Sequence, residues 1–296
     1  MLSQKSVKSV LNKHKKRDSW FLDEYSVNPF EGCSCNCLYC YIRGSKYGEN
    51  MNERLTLKSN ILPVLEKQLQ LRAKKNQYGI VAVGSATDAY MHHEEKLEIT
   101  KAILELLLKY RFPVFISTKQ TLITRDIALL KEIDKVAILP VDLKLSLKRG
   151  VILSVSLSTT NEKISNILEP GAAPPLQRLQ LIRQLKTEGF LAGVNAIPIL
   201  PFISDTEEEL EKIIAAAKQH DADYILAGGL TLFGDGMADS KTLYYKFLQR
   251  YKPELVEKYD LLFGDKFYAP WKYHDELKSK ADLLCRKYNI RNRIIE

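Results

Sequence analysis

An alternation restricts the fold of this chain more than any other feature. Short runs rich in β-branched and aromatic residues, at 25–28, 80–83, 114–117, 151–157, 192–197 and 224–227, are separated by longer stretches with apolar residues at helical spacing. Asn60 stands where it would cap a helix carrying Ile61, Leu65 and Leu69 on one face, with Pro63 tolerated in the first turn. Ile99, Ile103, Leu106 and Leu107 mark a second helix, and a third covers about 125–133, whereas 136–139 reads as either strand or helix. A helix over 176–186 stops at Gly189, and Pro198 ends the fifth strand. Thr206 and Glu209 have capping-box spacing ahead of a buried stripe at Leu210, Ile213, Ile214 and Ala217. Residues 239–296 read as largely helical. Six strand–helix units imply a parallel sheet, because each parallel crossover needs a helix. A partial barrel and an open doubly wound sheet share this pattern, and periodicity alone does not separate them.

Composition sets the class. The 296 residues are 45% hydrophobic and 27% charged, as in ordinary globular proteins, and suffice for one large α/β domain. No apolar run approaches the roughly 18 residues of a membrane span, and no apolar h-region follows the basic N-terminus. An uncleaved cytoplasmic protein with no membrane partner is expected. The net charge of +8 is concentrated: residues 1–17 hold Lys5, Lys8, Lys13, Lys15, Lys16 and Arg17 and no acid. Removing those six from the 44 basic residues leaves 38 against 36 acidic ones, a nearly balanced body. The expected organisation is therefore a basic arm over 1–20, able to meet nucleic-acid phosphates or to be simply solvated, a body over 21–235 and a helical extension over 236–296.

Four of the five cysteines, Cys33, Cys35, Cys37 and Cys40, lie within eight residues, and Cys285 stands alone. A disulfide framework would distribute its cysteines, so this clustering points to metal chemistry in a reducing compartment. Cys33, Cys37 and Cys40 have C-x3-C-x2-C spacing, which lets one loop wrap an iron–sulfur cube and leave the fourth iron open to a ligand. Zinc is the alternative. It wants four ligands, typically two separated pairs, and no second C-x-x-C exists; Cys35 as a fourth ligand would strain so tight a loop. Buried thiols without any metal are the third reading.

The cysteine loop after a first strand is similar to the signature of the radical S-adenosylmethionine (SAM) superfamily. The wider phrase, Leu11-Asn12-Lys13 upstream, then Asn28-Pro29, Gly32 and Tyr39-Cys40-Tyr41-Ile42-Arg43, resembles its spore photoproduct lyase-like branch over most of residues 10–230. The resemblance implies an α/β fold, a partial (β/α)6 barrel, with a 4Fe–4S cluster on Cys33, Cys37 and Cys40. The open iron would chelate SAM, and a one-electron reductant such as ferredoxin or flavodoxin would drive its cleavage to a 5′-deoxyadenosyl radical that takes hydrogen from a substrate. The substrate would be a nucleic-acid base, or alternatively a peptide or small molecule.

Sites in parallel β/α folds gather at the C-terminal ends of strands. There, Thr87 and Asp88 resemble the family segment that contacts SAM, though helix capping is an equal reading. Lys119, after Thr118, resembles the family lysine that reaches the SAM carboxylate. Ser154, Ser156 and Ser158 share one strand face, a good lining for a polar ligand, and Ser156 matches a SAM-binding serine. Glu169, followed by Pro170, and Arg178 resemble a family pattern at the cofactor, with a structural ion pair as the other reading. Tyr41 is expected to pack beside the cluster and the adenine, and Tyr39 to relay a radical or fill space. Ser85 occupies the place where the lyase carries a hydrogen-donating cysteine. His92, His93, Glu94 and Glu95 look like metal ligands, but adjacent side chains on a surface loop rarely converge.

Overall fold

A computed structural model of the chain describes residues 2–45 and 55–295. Met1 and Glu296, the ends of the expected arm and extension, lie outside the described residues, as do 46–54 within the expected body. The strands are β1 (Ser3–Lys5), β2 (Asn12–Lys13), β3 (Asp23–Val27), β4 (Phe30–Glu31), β5 (Thr56–Lys58), β6 (Ile80–Val83), β7 (Val114–Thr118), β8 (Val151–Ser156), β9 (Leu191–Ile199) and β10 (Ile225–Gly229). The helices are α1 (Ile61–Lys74), α2 (Glu94–Leu97), α3 (Ile99–Tyr110), α4 (Ile127–Val136), α5 (Glu162–Leu168), α6 (Pro175–Thr187), α7 (Glu207–Gln219), α8 (Ser240–Tyr251), α9 (Val256–Phe263) and α10 (Trp271–Lys287).

Strands β3, β6, β7, β8, β9 and β10 are parallel and adjacent in that order, with β2 antiparallel on the outer side of β3. The order never reverses, so successive right-handed crossovers place the helices on one face and the sheet curls away from them. That excludes a doubly wound sheet, which needs a switch point. The sheet remains open between β10 and β2, which makes a partial barrel.

Alternation along each strand builds the two faces. Val81, Val83, Val114, Ile116, Val151, Leu153, Val155, Val194 and Ala196 are fully buried under the helices. The other face changes along its length. At the N-terminal ends Ile80, Phe115, Ile152 and Leu226 pack with Leu143, Leu147 and Ile294 as an apolar plug. Towards the C-terminal ends the inward residues become Ser117, Ser154, Ser156 and Asn195. A polar mouth thus sits on an apolar floor.

Several local expectations change. Asn60 does not cap α1 with its side chain. Its amide exchanges hydrogen bonds with the backbone of Val7, Oδ1 accepting from N and Nδ2 donating to O, both at 2.9 Å. The third helical stretch is a tight turn over Thr121–Asp126 followed by α4, which absorbs 136 and leaves no strand at 136–139. Strand β9 continues through the cis Ile197–Pro198 bond to Ile199 rather than ending at Pro198. Thr206 does cap α7, its Oγ1 accepting from Glu209 N at 3.3 Å. The buried stripe of Leu210, Ile213 and Ile214 behind it contributes about 1.5–3 kcal/mol per side chain.

The basic N-terminus runs along the body rather than as a free tail. β1 pairs with β5, which pairs with β4, and Gln68 Oε1 accepts from Val10 N and Leu11 N, each at 3.0 Å. Arg17 forms ion pairs with Glu24 and Asp142, and Lys5 with Glu31. Beyond β10, the buried Leu277, Ala281 and Leu284 of α10 belong to the main core, and the tail returns so that Ile225 N donates to Arg291 O at 2.9 Å. Among the described residues no helix is long and apolar enough to cross a membrane.

Candidate active site

The cysteine loop leaves the C-terminal end of β3 and is fixed from three sides. Asn28 ties it to the segment after β6: its Nδ2 donates to Ser85 Oγ at 3.0 Å and its Oδ1 accepts from Ala86 N at 2.8 Å. Arg43 closes the loop on itself, Nε donating to Cys37 O at 3.1 Å and a second guanidinium nitrogen to Asn36 Oδ1. The segment after α5 lies against it, with Leu38 N donating to Leu168 O at 2.9 Å and Gly171 N to Cys35 O at 3.1 Å. A Cβ at Gly171 would stand 2.0 Å from Ser34 O, so this approach requires glycine. Gly32 and Asn36, at φ of 85° and 51°, make the left-handed turns the loop needs.

Cys33 and Cys40 are half-buried and Cys37 is buried. Asp88 N donates to Cys33 Sγ at 3.3 Å. Cys35 is buried too: its thiol lies against Cys33, and Gln120 Nε2 donates to its sulfur at 3.4 Å and to Gly171 O at 2.7 Å. A hydrogen bond from the Cys35 thiol, working against burial, lowers the pKa of Cys33, while burial pushes those of Cys37 and Cys40 up. Among the described residues, no three His, Cys, Asp or Glu side chains converge as the ligands of one ion would. Thiolates that hold a cube bind three different irons and need not converge as the ligands of one ion do.

Beneath the loop lies a buried ionic network. Arg178, only 1% exposed, gives its guanidinium to Ala173 O at 2.6 Å, Ser156 O at 2.8 Å, Ser165 Oγ at 3.0 Å and Glu169 Oε2 at 2.5 Å. Glu169 also accepts from Ser165 Oγ at 3.0 Å and from the Tyr39 hydroxyl. Burial opposes its charge, but Arg178 and Lys119, with the hydrogen bonds from Arg178 and Tyr39, outweigh burial and hold its pKa below the usual value. Both Glu169 and Arg178 are thereby committed to one another and to the backbone. Tyr39 is buried, its hydroxyl also 2.9 Å from Ser158 Oγ. Lys119 differs: its ammonium is 3.9 Å from Glu169 Oε1, and its pKa is raised because the charges of Cys37 and Glu169 overcome burial.

Asp88 is placed as an organiser. Its carboxylate accepts from Thr118 Oγ1 and Lys119 N, both at 2.7 Å, and from Tyr90 N at 2.9 Å, which fixes the backbone that carries Lys119. Ser156 Oγ lies 3.1 Å from Ser117 Oγ, to which Asn195 Nδ2 donates at 3.3 Å. Ser154, in register with Ser117, is bonded to Tyr224 OH at 2.8 Å. Thr87 Oγ1, Asn195 Oδ1 and Ser34 Oγ are buried with no partner. Orphaned polar atoms are uncommon in a core, and a polar ligand or a water at the mouth would satisfy these three. Tyr41, half exposed, crosses the rim to donate to Ser85 O at 2.9 Å.

A family model described as the radical SAM superfamily matches residues 27–217. The chain belongs to the radical SAM superfamily. Its cofactors are accordingly a 4Fe–4S cluster and SAM, and it is an enzyme. An uncharacterised protein of Mycobacterium tuberculosis is 29% identical over 276 residues, covering 90% of this chain and 75% of its own. Protein ORF301 of Acidianus two-tailed virus is 27% identical over 262 residues, covering 82% and 79%. A spore photoproduct lyase mutant solved with bound AdoMet and dinucleoside spore photoproduct is similar in fold. Its TM-score is 0.64 at 15% identity, with 92% of this chain and 76% of that one covered.

Ser117, Gln120, Gly171 and Asn195 were not among the residues expected here. Two carried a signal: Asn195 is a lone amide in an apolar strand, and Ser117 directly faces Ser154 across the sheet. The His92–His93 pair forms no site. The ring centroids lie 3.8 Å apart with the rings tilted by 40°, and Glu94 turns inward to accept from Thr100 N at 2.8 Å and to pair with Arg125.

Proposed function

We propose that Cys33, Cys37 and Cys40 hold the 4Fe–4S cluster and that SAM binds across the polar mouth of the barrel. The observation that carries this reading is the juxtaposition of three thiols, the Lys119 ammonium and the orphaned Thr87 and Asn195 oxygens at the C-terminal ends of β3, β6, β7 and β9. Lys119 supplies the charge for the SAM carboxylate, Ser156, Ser117 and Asn195 supply hydrogen bonds, and Tyr41 borders the ligand from the rim. Asp88, Glu169 and Arg178 act at one remove, holding Lys119, the floor and the cysteine loop. Tyr39, buried against Ser158 and Glu169, couples the loop to that floor. When bound, cluster and SAM supply a carbon-centred radical that takes a hydrogen atom from the substrate, driven by an electron from ferredoxin or flavodoxin.

The substrate in this reading is a nucleic-acid base. Its support is the likeness in fold to a lyase solved with a dinucleoside lesion. Anaerobic reconstitution of single alanine variants tests the assignment. Cys33→Ala, Cys37→Ala and Cys40→Ala should each lose iron and the 5′-deoxyadenosine released from SAM, whereas Cys35→Ala and Cys285→Ala should keep both. Full iron in Cys37→Ala, with loss in Cys35→Ala, refutes the ligand set. Adding single-stranded DNA or RNA to the wild type should raise 5′-deoxyadenosine release; a response only to peptides or small molecules would reassign the substrate.

A further inference from the structure

The barrel is open between β10 and the β2–β3 hairpin, and a groove of about 1120 Å³ fills that opening. Residues Leu226, Ala227, Gly228 and Gly229 of β10 form its floor. Trp20, from the turn between β2 and β3, lines it from the other end of the sheet. One face of α10 and the tail behind it complete the lining, so most of it comes from residues 268–293, outside the span matched by the family model. Gly228 faces inward, where a Cβ would stand 3.0 Å from Ile197 Cγ1; Gly229 faces α10, where a Cβ would stand 2.6 Å from His274 Cε1. The edge strand is therefore thinnest at its C-terminal end, on the same rim as the cysteine loop.

The chemistry of the lining is distinctive. Trp20, Tyr268 and Trp271 are 42%, 56% and 78% exposed, an unusual price in free energy for three large rings on one surface. Around them stand Lys278, Arg286, Arg291 and Arg293, against only Asp275 and Asp282, and Asp282 is already engaged by Asn292 Nδ2 at 2.8 Å. Lys278, Arg286 and Arg293 form no ion pair among the described residues. On α10, Trp271, Lys278 and Arg286 recur at helical spacing, so rings and cations share one stripe. Rings offer faces on which unpaired bases stack, and unpaired cations suit the phosphates between them. Paired bases hide their faces, so this lining favours a single strand over a duplex.

Resting on the nucleic-acid reading above, we infer that the lateral groove between β10, α10 and Trp20 binds the single-stranded flank of the substrate and delivers its base to the rim. The test uses the reconstituted enzyme and a labelled single-stranded oligonucleotide of about 12 nucleotides, followed by fluorescence anisotropy across a salt series. The wild type should prefer this strand to its duplex. Trp271→Ala should weaken binding at least about fivefold; Trp271 is so exposed that its loss leaves the fold intact. The double variant Arg286→Gln, Arg293→Gln should reduce the slope of log K against log salt by about 1.4, or about 0.7 per cation. SAM cleavage without oligonucleotide should not change in either. Wild-type affinity in both variants overturns the groove while leaving the nucleic-acid reading standing. A wild type that binds neither strand nor duplex overturns both, and preference for an extended peptide added along the β10 edge overturns the groove's proposed occupant.

Discussion

Replacing Asp88 with asparagine separates an organising carboxylate from a ligand-binding one. The carboxylate serves three donors, with Oδ1 taking Thr118 Oγ1 and Tyr90 N and Oδ2 taking Lys119 N. An asparagine keeps one oxygen. If that oxygen serves the first two donors, the amide NH2 faces Lys119 N, donor against donor, in a buried place. The loss of one charge-assisted bond and the burial of an unsatisfied N–H together cost about 2–3 kcal/mol. Urea unfolding of Asp88→Asn should register that loss. Two functional effects should accompany it. SAM affinity should fall because Lys119 is no longer held, and the cluster's reduction potential should shift because Asp88 N also donates to Cys33 Sγ. Lys119→Met should also weaken SAM binding, and it should move the potential in the negative direction, because a positive charge beside Cys37 that favours the reduced cluster is lost. Unchanged unfolding of Asp88→Asn together with abolished SAM binding would refute this reasoning, because the carboxylate would then be touching the ligand itself.

Three further outcomes follow from buried and missing groups. Arg178→Met should destabilise the protein by about 3–5 kcal/mol in urea unfolding, because it leaves the Glu169 carboxylate buried with Lys119 as its only cation. Glu169 has a lower pKa folded than unfolded, so the unfolded state binds more protons and stability rises with pH through that window. The advantage of wild type over Glu169→Gln should therefore be complete above about pH 5 and shrink as pH falls below 4; an advantage that grows on acidification contradicts the network. Ser85 offers only a strong O–H bond where the resembled lyase carries a thiol, so DNA containing spore photoproduct should not be converted to two thymines over many turnovers. Product analysis by chromatography checks this, and sustained turnover would show another hydrogen donor.

What the sequence revealed depended on how local each cause was. The Thr206 cap, the stripe behind it and the six strands are set by neighbours a few residues apart, and they were legible. The cysteine motif was legible as a family signature because its spacing is itself local. Asn60 was misread because the side chain that could cap α1 meets a stronger claim from Val7, 53 residues away. Charge composition likewise did not reveal that two cations of the basic arm, Lys5 and Arg17, meet Glu31, Glu24 and Asp142 along the body. Gln120 and Gly171 gave no signal at all, since each matters only where the segment after α5 meets the cysteine loop.

The residues that touch the loop explain why the site is built from so many layers. A short loop carrying three thiols has little regular structure of its own, so its conformation must be imposed by groups that are themselves fixed. Asn28, Arg43 and Gly171 impose it through the backbone, and the Glu169–Arg178 pair, anchored to Ser156 O and Ala173 O, holds the strand end and the segment after α5 at their spacing. Lys119 is left with donors to spare beside groups that the Glu169–Arg178 network already fixes. On the proposed reading, a preorganised cation in a polar mouth would meet the SAM carboxylate without rearrangement, which is what orienting a cofactor for bond cleavage requires.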